Sequence, residues 1–560
     1  MEETKMKKII SIAFAAILAG LAISCQKEEA VSDKADAVQY TFNIIVNDRA
    51  GFDNDASTKG SESHKSYWES GDRIFLFFKP TDGVLLDGTY ATLTYNGSSW
   101  DGTVTPGQSS LGDGGTLSAV YVYKLDGSVT PAYSDNKWTI ATGNTFYNCQ
   151  TGVDYTVSDN VISASLDLVA PTNFVQFYVT SATGVLTCDK VKGWKDIAIG
   201  SDMAISNVTC TGYMDGFANS GDSNVKEYYG RIVDGTSLNG KACEFSVVML
   251  GKVYERTATP TSDARSFKMT VSTPDWPEAA GKLPGLFTVG KGADVTAGTE
   301  DDVQVRFSQG NLVAAIDANG APTAWKFATN QYDYIGGNVA NTSIGNPSTS
   351  GTAGDVDLFG WSASNNEGTS TTDNYGIIIS ENGDDYLGDF YDWGKAYCEK
   401  NSITPDNTWR TLSTEEWQYL FSYDGSELDG QNYDNDIRRG KCKFGVTVCS
   451  KTNCVVLLPD NWDETVISLA NFAAQDTYDE NFTPKWSEMQ AAGAVCLSAA
   501  GARDGSSVNY VGDVGGYWSS TALDNYGACY VFFSSLGVAP DSGGNRRDLG
   551  FSVRLISDVK

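Results

Sequence analysis

The sequence predicts a mostly β N-terminal half, made of two tandem β-sandwiches, and a C-terminal domain of α+β character. Three observations predict it. Short runs of strand-forming residues recur at roughly ten-residue spacing between Gly, Asn and Asp turns. Helical periodicity is nearly absent from the first half. From Leu286 onward Trp and Tyr become dense, Gly/Asn/Ser loops lengthen, and two stretches take helical spacing.

The first sandwich is expected over 38–160. It opens with Tyr40-Thr41-Phe42-Asn43-Ile44-Ile45-Val46, rich in β-branched and aromatic residues. A polar, Ser-rich loop over 53–66 follows. Then Tyr67-Trp68-Glu69-Ser70-Gly71-Asp72-Arg73 places a turn before the apolar strand Ile74-Phe75-Leu76-Phe77-Phe78. Ala91–Tyr95, Ser118–Tyr123 and Trp138–Ala141 continue the cadence. The second sandwich is expected over 161–282, with Phe174–Val179, Cys243–Leu250 and Ser266–Val271 as its clearest strands. Pro274, Pro277 and Lys282-Leu283-Pro284-Gly285 mark its end. In the third region, 283–560, one helix is expected over Tyr386–Lys400. Another opens at Ser413, which can cap while Glu416 closes a capping box. Trp417, Leu420 and Phe421 then share one face.

Composition excludes several functions. The 560 residues carry 40 Lys+Arg against 70 Asp+Glu, a formal charge of −30, which repels the phosphates a nucleic-acid binder must contact. A single histidine, His64, rules out His-rich metal sites and leaves one candidate for any Ser-His or Cys-His pair. His64 sits in the Ser-rich loop, a poor place for a nucleophile's base. The cysteines are scattered without a CxxC pair, so neither a zinc ribbon nor a thioredoxin-type centre is expected. Cys442, Cys449 and Cys454 form the nearest approach to a metal pattern, and buried thiols or a disulfide explain them better.

The first 24 residues read as a targeting segment. Lys7 and Lys8 precede a 15-residue apolar run, Ile9–Ile23, too short for a comfortable permanent span. Leu21-Ala22-Ile23-Ser24-Cys25 resembles a bacterial lipoprotein signal, which implies lipidation of Cys25 and an outer-membrane lipid anchor, with 25–37 as a tether. Glu28-Glu29 resembles the surface-export signal of Bacteroidetes lipoproteins.

The segment Tyr67–Phe78 resembles the fimbrillin family of Bacteroidetes, whose members pair lipoprotein export with two tandem β-sandwiches. That resemblance implies a type V pilus subunit, with other pilins as partners through strand exchange. It also implies proteolytic processing after the first strand, for which Arg49 is the candidate. In the third region, Trp409-Arg410-Thr411-Leu412-Ser413-Thr414-Glu415-Glu416-Trp417-Gln418-Tyr419-Leu420 resembles the corresponding helix of C-type-lectin-like domains related to formylglycine-generating enzyme. Gly516–Thr521 and Gly550–Ile556 resemble that domain's last strands. The resemblance implies a ligand-binding domain over 283–560, of the kind that diversity-generating retroelements diversify.

Trp518, Phe551, Val553 and Leu555 alternate with small or polar residues and are expected in a half-buried sheet. Between them, 522–549 mixes aromatics, amides, charges and glycines, the chemistry of adaptable contact surfaces. The contact residues expected there are Asp524, Asn525, Tyr526, Tyr530, Phe532, Asp541, Asn545 and Arg547. If Tyr526, Tyr530 and Phe532 serve contact alone, replacing all three leaves stability nearly unchanged.

Enzymatic signatures are missing. Cys496 and Cys529 lie where formylglycine formation places its copper ligands, yet the Arg-Gly-Gly-Ser-Trp block of active members is absent. No Walker loop or dinucleotide fingerprint occurs. No catalytic residue, metal or cofactor is assigned, although Thr299-Glu300-Asp301-Asp302 offers oxygens for a structural Ca²⁺. The reading is a cell-surface adhesin, a pilus-tip or accessory fimbrial subunit binding a host, bacterial or glycan ligand. The alternative is a non-pilus glycan-binding lipoprotein of a nutrient-uptake system.

Overall fold

An unbroken apolar run marks a strand covered on both faces, and Ile74–Phe78 is such a run. In the computed structural model, strand Arg73–Pro80 sends Ile74, Leu76 and Phe78 into one core and Phe75 and Phe77 into another. The structure describes residues 39–47, 68–105, 110–123, 125–219, 221–272, 275–291, 302–318, 322–337, 353–362, 376, 388–405, 408–423 and 437–559. Strands make up 49% of the structure and helices 5%, so the chain is mostly β. Cys25, Arg49 and His64 lie outside the described residues.

The first sheet has seven strands, in the order Thr41–Val46, Val161–Leu166, Tyr147–Ser158, Gly114–Val122, Arg73–Pro80, Tyr90–Tyr95, Trp100–Thr105. It curls so that its two edges meet: Phe42 of the first strand packs directly over Gly102 of the last. The Trp68–Arg73 segment builds the corner of this sheet. Trp68 lies edge-on to Trp100 and Tyr121, at 4.8 and 5.1 Å between ring centroids. Asp72 accepts from the Glu69 amide (2.8 Å) and the Tyr121 hydroxyl (3.0 Å), and Arg73 donates to the Asp126 and Gly127 carbonyls.

The second sheet has eleven strands and is not a separate block. Its long strand Val191–Ile199 pairs at one end with Val225–Ile232 and along the rest with Ile205–Thr211 and Lys137–Ala141. Trp138 and Ile140 from the first block therefore pack with Phe174, Trp194 and Ile197 from the second, against the outer face of the first sheet. The expected division between 160 and 161 is corrected here. It falls inside the hairpin joining Tyr147–Ser158 to Val161–Leu166, where Ser158 pairs with Val161. The sequence shows a turn at that point, and a turn within a hairpin looks like a turn between domains.

Among the described residues, the C-terminal region carries small sheets and three short helices. The helix expected from Tyr386 begins later, at Trp393, because Asp392 caps it: its carboxylate accepts from the Gly394 amide at 2.8 Å. Gly394 is required by close approach, since a Cβ there would lie 2.1 Å from the Trp409 carbonyl oxygen. Helix Thr414–Phe421 opens on the expected capping box, with Ser413 accepting from the Glu416 amide (3.2 Å) and Glu416 from the Ser413 amide (2.8 Å). Trp417, Leu420 and Phe421 are buried, as are Trp518, Phe551, Val553 and Leu555. A third helix, Trp486–Ala491, has no counterpart in the sequence reading.

Two regions of the chain meet through polar contacts. Arg306 is buried and donates to the Pro284 carbonyl and to the Ser246 hydroxyl. Lys282 pairs with Glu255 at 2.6 Å. Deeper in the C-terminal region, Asp460 accepts from the Thr288 amide (2.6 Å), the Thr288 hydroxyl (2.7 Å) and Arg438 (2.9 Å). Asp302, one of the residues offered to Ca²⁺, is buried and pairs with Lys291; residues 299–301 lie outside the described residues. Cys442 and Cys454 point into different cores, which separates two members of the suspected cysteine cluster. Nine of the cysteines are free thiols.

Lys441 is buried and donates to the Asp460 carbonyl. Desolvation pulls its pKa down to about 7, with Asp460 opposing and Arg438 adding to the shift. The unfolded lysine binds its proton far more tightly, so between pH 7 and its ordinary value the unfolded state holds more protons. Stability therefore rises with pH across that window, and the lysine's burial cost is complete below it. We expect denaturant melts from pH 7 to 9 to show this rise in the native chain, and Lys441→Met to flatten it. Equal slopes in both proteins would place the titration elsewhere.

Candidate functional site

Three antiparallel strands, Val514–Ala522, Gly527–Ser534 and Gly537–Arg546, carry the segment singled out for contact. Side chains alternate along the middle strand. Val531 and Phe533 are buried with Tyr517 and Trp417. Tyr530 and Phe532 face the other way and are half-buried. Tyr530 lies flat on Phe551, with centroids 4.7 Å apart and planes 4° off parallel, and edge-on to Trp518 at 6.0 Å.

The turn 523–526 forms an exposed tip. Asp524 closes it by accepting from the Tyr526 amide (2.8 Å) and the Gly527 amide (2.6 Å), a local turn that Asp forms readily. Those two donors hold the Asp524 carboxyl below the ordinary carboxylate range. Leu523 is 55% exposed and Tyr526 59% exposed. Leu523 rests on Gly544, whose φ of +47° and lack of a Cβ make room for it.

Arg547 holds this tip from beneath. It is only 3% exposed, so its assignment as a ligand contact is corrected. Its guanidinium lies 4.2 Å from the Trp361 ring centroid and donates to the carbonyls of Gly527 (3.2 Å), Gly388 (3.2 Å) and Asp524. Its own amide donates to the Tyr526 carbonyl at 3.0 Å. A planar fork that stacks and donates at several angles is a role arginine fills and lysine does not.

The remaining expected residues divide. Asp524, Asn525 and Tyr526 are brought together at the tip. Asn545 lies beside them across the ladder from Ala528, its amide 3.4 Å from the Tyr530 hydroxyl. Phe532 is further along the strand, and its ring centroid is 6.4 Å from that of Tyr530. Asp541 sits where the strand register breaks and accepts from Gln418 of the helix at 3.3 Å. The stacking of Tyr530 also revises the expected outcome of triple replacement: removing that ring opens the core around Phe551 and Trp518, while Tyr526 stands 59% exposed.

No family model and no curated protein matches the chain. Three solved structures are similar. One is a candidate adhesin from Bacteroides ovatus, 13% identical, matching 45% of this chain and 98% of its own, at a TM-score of 0.22. Another is a fimbrial protein from Bacteroides ovatus, 10% identical, matching 93% of this chain and 99% of its own, at 0.20. The third is a candidate cell adhesion protein from Bacteroides thetaiotaomicron, 9% identical, matching 42% of this chain and 91% of its own, at 0.18.

Sequence reasoning missed Leu523 and Trp361. Asp-Asn-Tyr-Gly is a turn signal, and it places Leu523 at a hairpin shoulder where an apolar side chain is hard to bury. No local signal marks Trp361, which meets Arg547 only through the fold. Among the described residues no helix is long and apolar enough to cross a membrane, and no group of three metal-ligating side chains occurs.

Proposed function

We propose that the chain is a cell-surface adhesin that binds its ligand through the tip formed by Leu523, Asp524, Asn525 and Tyr526, with Asn545 alongside. The observation that carries this reading is the tip's construction. An exposed leucine and tyrosine stand on a turn whose backbone is clamped by a buried arginine stacked on a tryptophan. Exposed apolar groups gain nothing from water, and a rigid aromatic loses little entropy when it binds. The tip therefore suits recognition of a host, bacterial or glycan surface, in keeping with the C-type-lectin-like resemblance of 283–560. The reading assigns the protein binding and no catalysis.

The lipoprotein-type leader and the fimbrillin-like segment extend the proposal to an outer-membrane lipid anchor and a pilus-tip or accessory fimbrial position. The seat of the first strand supports strand exchange with other pilins. Among the described residues, Thr41–Val46 is an edge strand paired with Val161–Leu166 alone, in parallel register. Only Phe42, Ile44 and Val46 face the core, and Ile45 is 62% exposed. An edge strand held on one side can be exchanged for another chain's strand at little cost in main-chain hydrogen bonds.

The test is a glycan and protein array probed with the mature chain, followed by Tyr526→Ala and Leu523→Ala on whatever binds. Each variant is expected to weaken binding by about tenfold or more while leaving the melting temperature within a degree or so. Tyr530→Ala is expected to lower stability by about 2–3 kcal/mol. Full binding by the Tyr526→Ala/Leu523→Ala double variant would remove the tip from the interface.

A further inference from the structure

A concave site opens where the two large sheets meet, far in sequence from the hairpin tip. The turn after strand Gly114–Val122, the segment 141–145, the short strand Phe217–Ala218 and strand Val225–Ile232 enclose it. Its volume is about 420 Å³, room for a small organic molecule.

Strand register sets its chemistry. Phe217 is paired with Glu227 in an antiparallel ladder, and paired residues project from the same face. Tyr229, two residues on, shares that face. Glu227 is 3% exposed. Its carboxylate accepts from the Asn219 amide nitrogen at 2.6 Å and from the Tyr229 hydroxyl. The Tyr229 hydroxyl in turn accepts from Gln176 at 3.3 Å, which fixes its orientation. Phe217 is part-exposed, its ring centroid 6.0 Å from that of Tyr229, and Tyr123 completes an aromatic wall. Asp126 lines the pocket as a second carboxylate; none of the described lining residues is basic, although Arg73 behind them donates to the Asp126 and Val129 carbonyls.

The geometry points to a binding site for an organic ammonium cation, such as a quaternary or alkylated ammonium headgroup. Ring faces attract a cation through their quadrupoles, most strongly where water is excluded. A buried carboxylate adds a Coulomb attraction that bulk water would otherwise screen. Phe217, Tyr229 and Tyr123 supply the rings, Glu227 the buried charge and Asp126 a second charge. A neutral sugar would use the same rings and draw nothing from the two charges, so a neutral ligand separates the cases.

The experiment is calorimetric titration of the mature chain with choline chloride. Parallel titrations use 3,3-dimethylbutan-1-ol, which has choline's shape without its charge, and glucose and galactose. Choline is expected to bind at least about tenfold more tightly than the neutral isostere. Phe217→Ala is expected to weaken choline about tenfold at unchanged melting temperature, and Glu227→Gln to abolish the preference for choline. Equal binding of choline and its isostere, sugar binding without choline binding, or no choline binding at millimolar concentration each overturns the assignment. Should Glu227→Gln fail to fold, Phe217→Ala decides alone, and unchanged choline affinity in that variant also overturns it.

Discussion

Asp460→Ala should lower the stability of the C-terminal region by about 3–5 kcal/mol, the cost typical of breaking a buried ion pair from one side. Both side chains of the Arg438–Asp460 pair are fully excluded from solvent. Arg438 also donates to the carbonyls of Leu458 (2.8 Å) and Leu420 (3.1 Å), and its guanidinium carbon lies 5.1 Å from the Phe287 ring centroid. Removing the carboxylate leaves that cation buried and strands the Thr288 amide and hydroxyl as well. A buried charge without its counter-charge costs more than the pair ever contributed. The double variant Arg438→Met/Asp460→Leu removes both charges and should recover a large part of the loss. Denaturant melts followed by tryptophan fluorescence read both effects. A loss under about 1 kcal/mol, the scale of an exposed pair, would show that the pair does not organise this core.

Arg547→Lys should abolish binding through the tip and cost about 2–4 kcal/mol of stability. Lysine keeps the charge but offers one ammonium where the native residue presents a stacked fork to three carbonyls. The 523–526 turn would lose its clamp, and limited proteolysis should cut it faster in the variant. The contrast with Tyr526→Ala is informative, because that change is expected to lose binding without loosening the turn. If Arg547→Lys lost binding while melting temperature and proteolysis stayed native, arginine would be a contact residue and its burial incidental. A full return of function with Arg547→Lys would instead show that charge alone suffices.

The capping box at Ser413 and Glu416 was legible because it depends on residues three apart and on nothing else. The burial of Trp518, Phe551, Val553 and Leu555 was legible, but the half-buried sheet expected around them was not found: Tyr517, Ser552 and Arg554 are buried as well, because both faces of these segments are covered. The Asp392 start of the first helix was less so. The helical spacing from Tyr386 was real in the sequence, and only the capping geometry of Asp392 and the contact between Gly394 and Trp409 placed the first turn. The boundary at 160 failed for a physical reason too. Strand Val191–Ile199 pairs with Lys137–Ala141 across more than fifty residues of chain, and no local pattern encodes which distant edge a strand will join.

The same distinction runs through the candidate sites. The mixture of aromatics, amides and glycines in 522–549 pointed to a contact surface, yet Val531 and Phe533 of that segment are buried in the core. Which members face outward was not readable. Arg546 and Arg547 are neighbours of the same type, yet Arg546 pairs with Asp548 and Asp504 at the surface while Arg547 is buried on Trp361. Adjacent positions on a strand point to opposite sides, and the partner that decides between them comes from a segment almost two hundred residues away. By itself the sequence determined the mostly β class, the acidic composition and the single histidine that leaves no room for a His-rich metal site, since these follow from residue counts and short-range periodicity. The tertiary structure alone decided where the two sheets merge, which arginine supports the tip, and that Phe217, Glu227 and Tyr229 share a pocket, because each depends on strand pairings that close long loops and bring remote side chains onto one face.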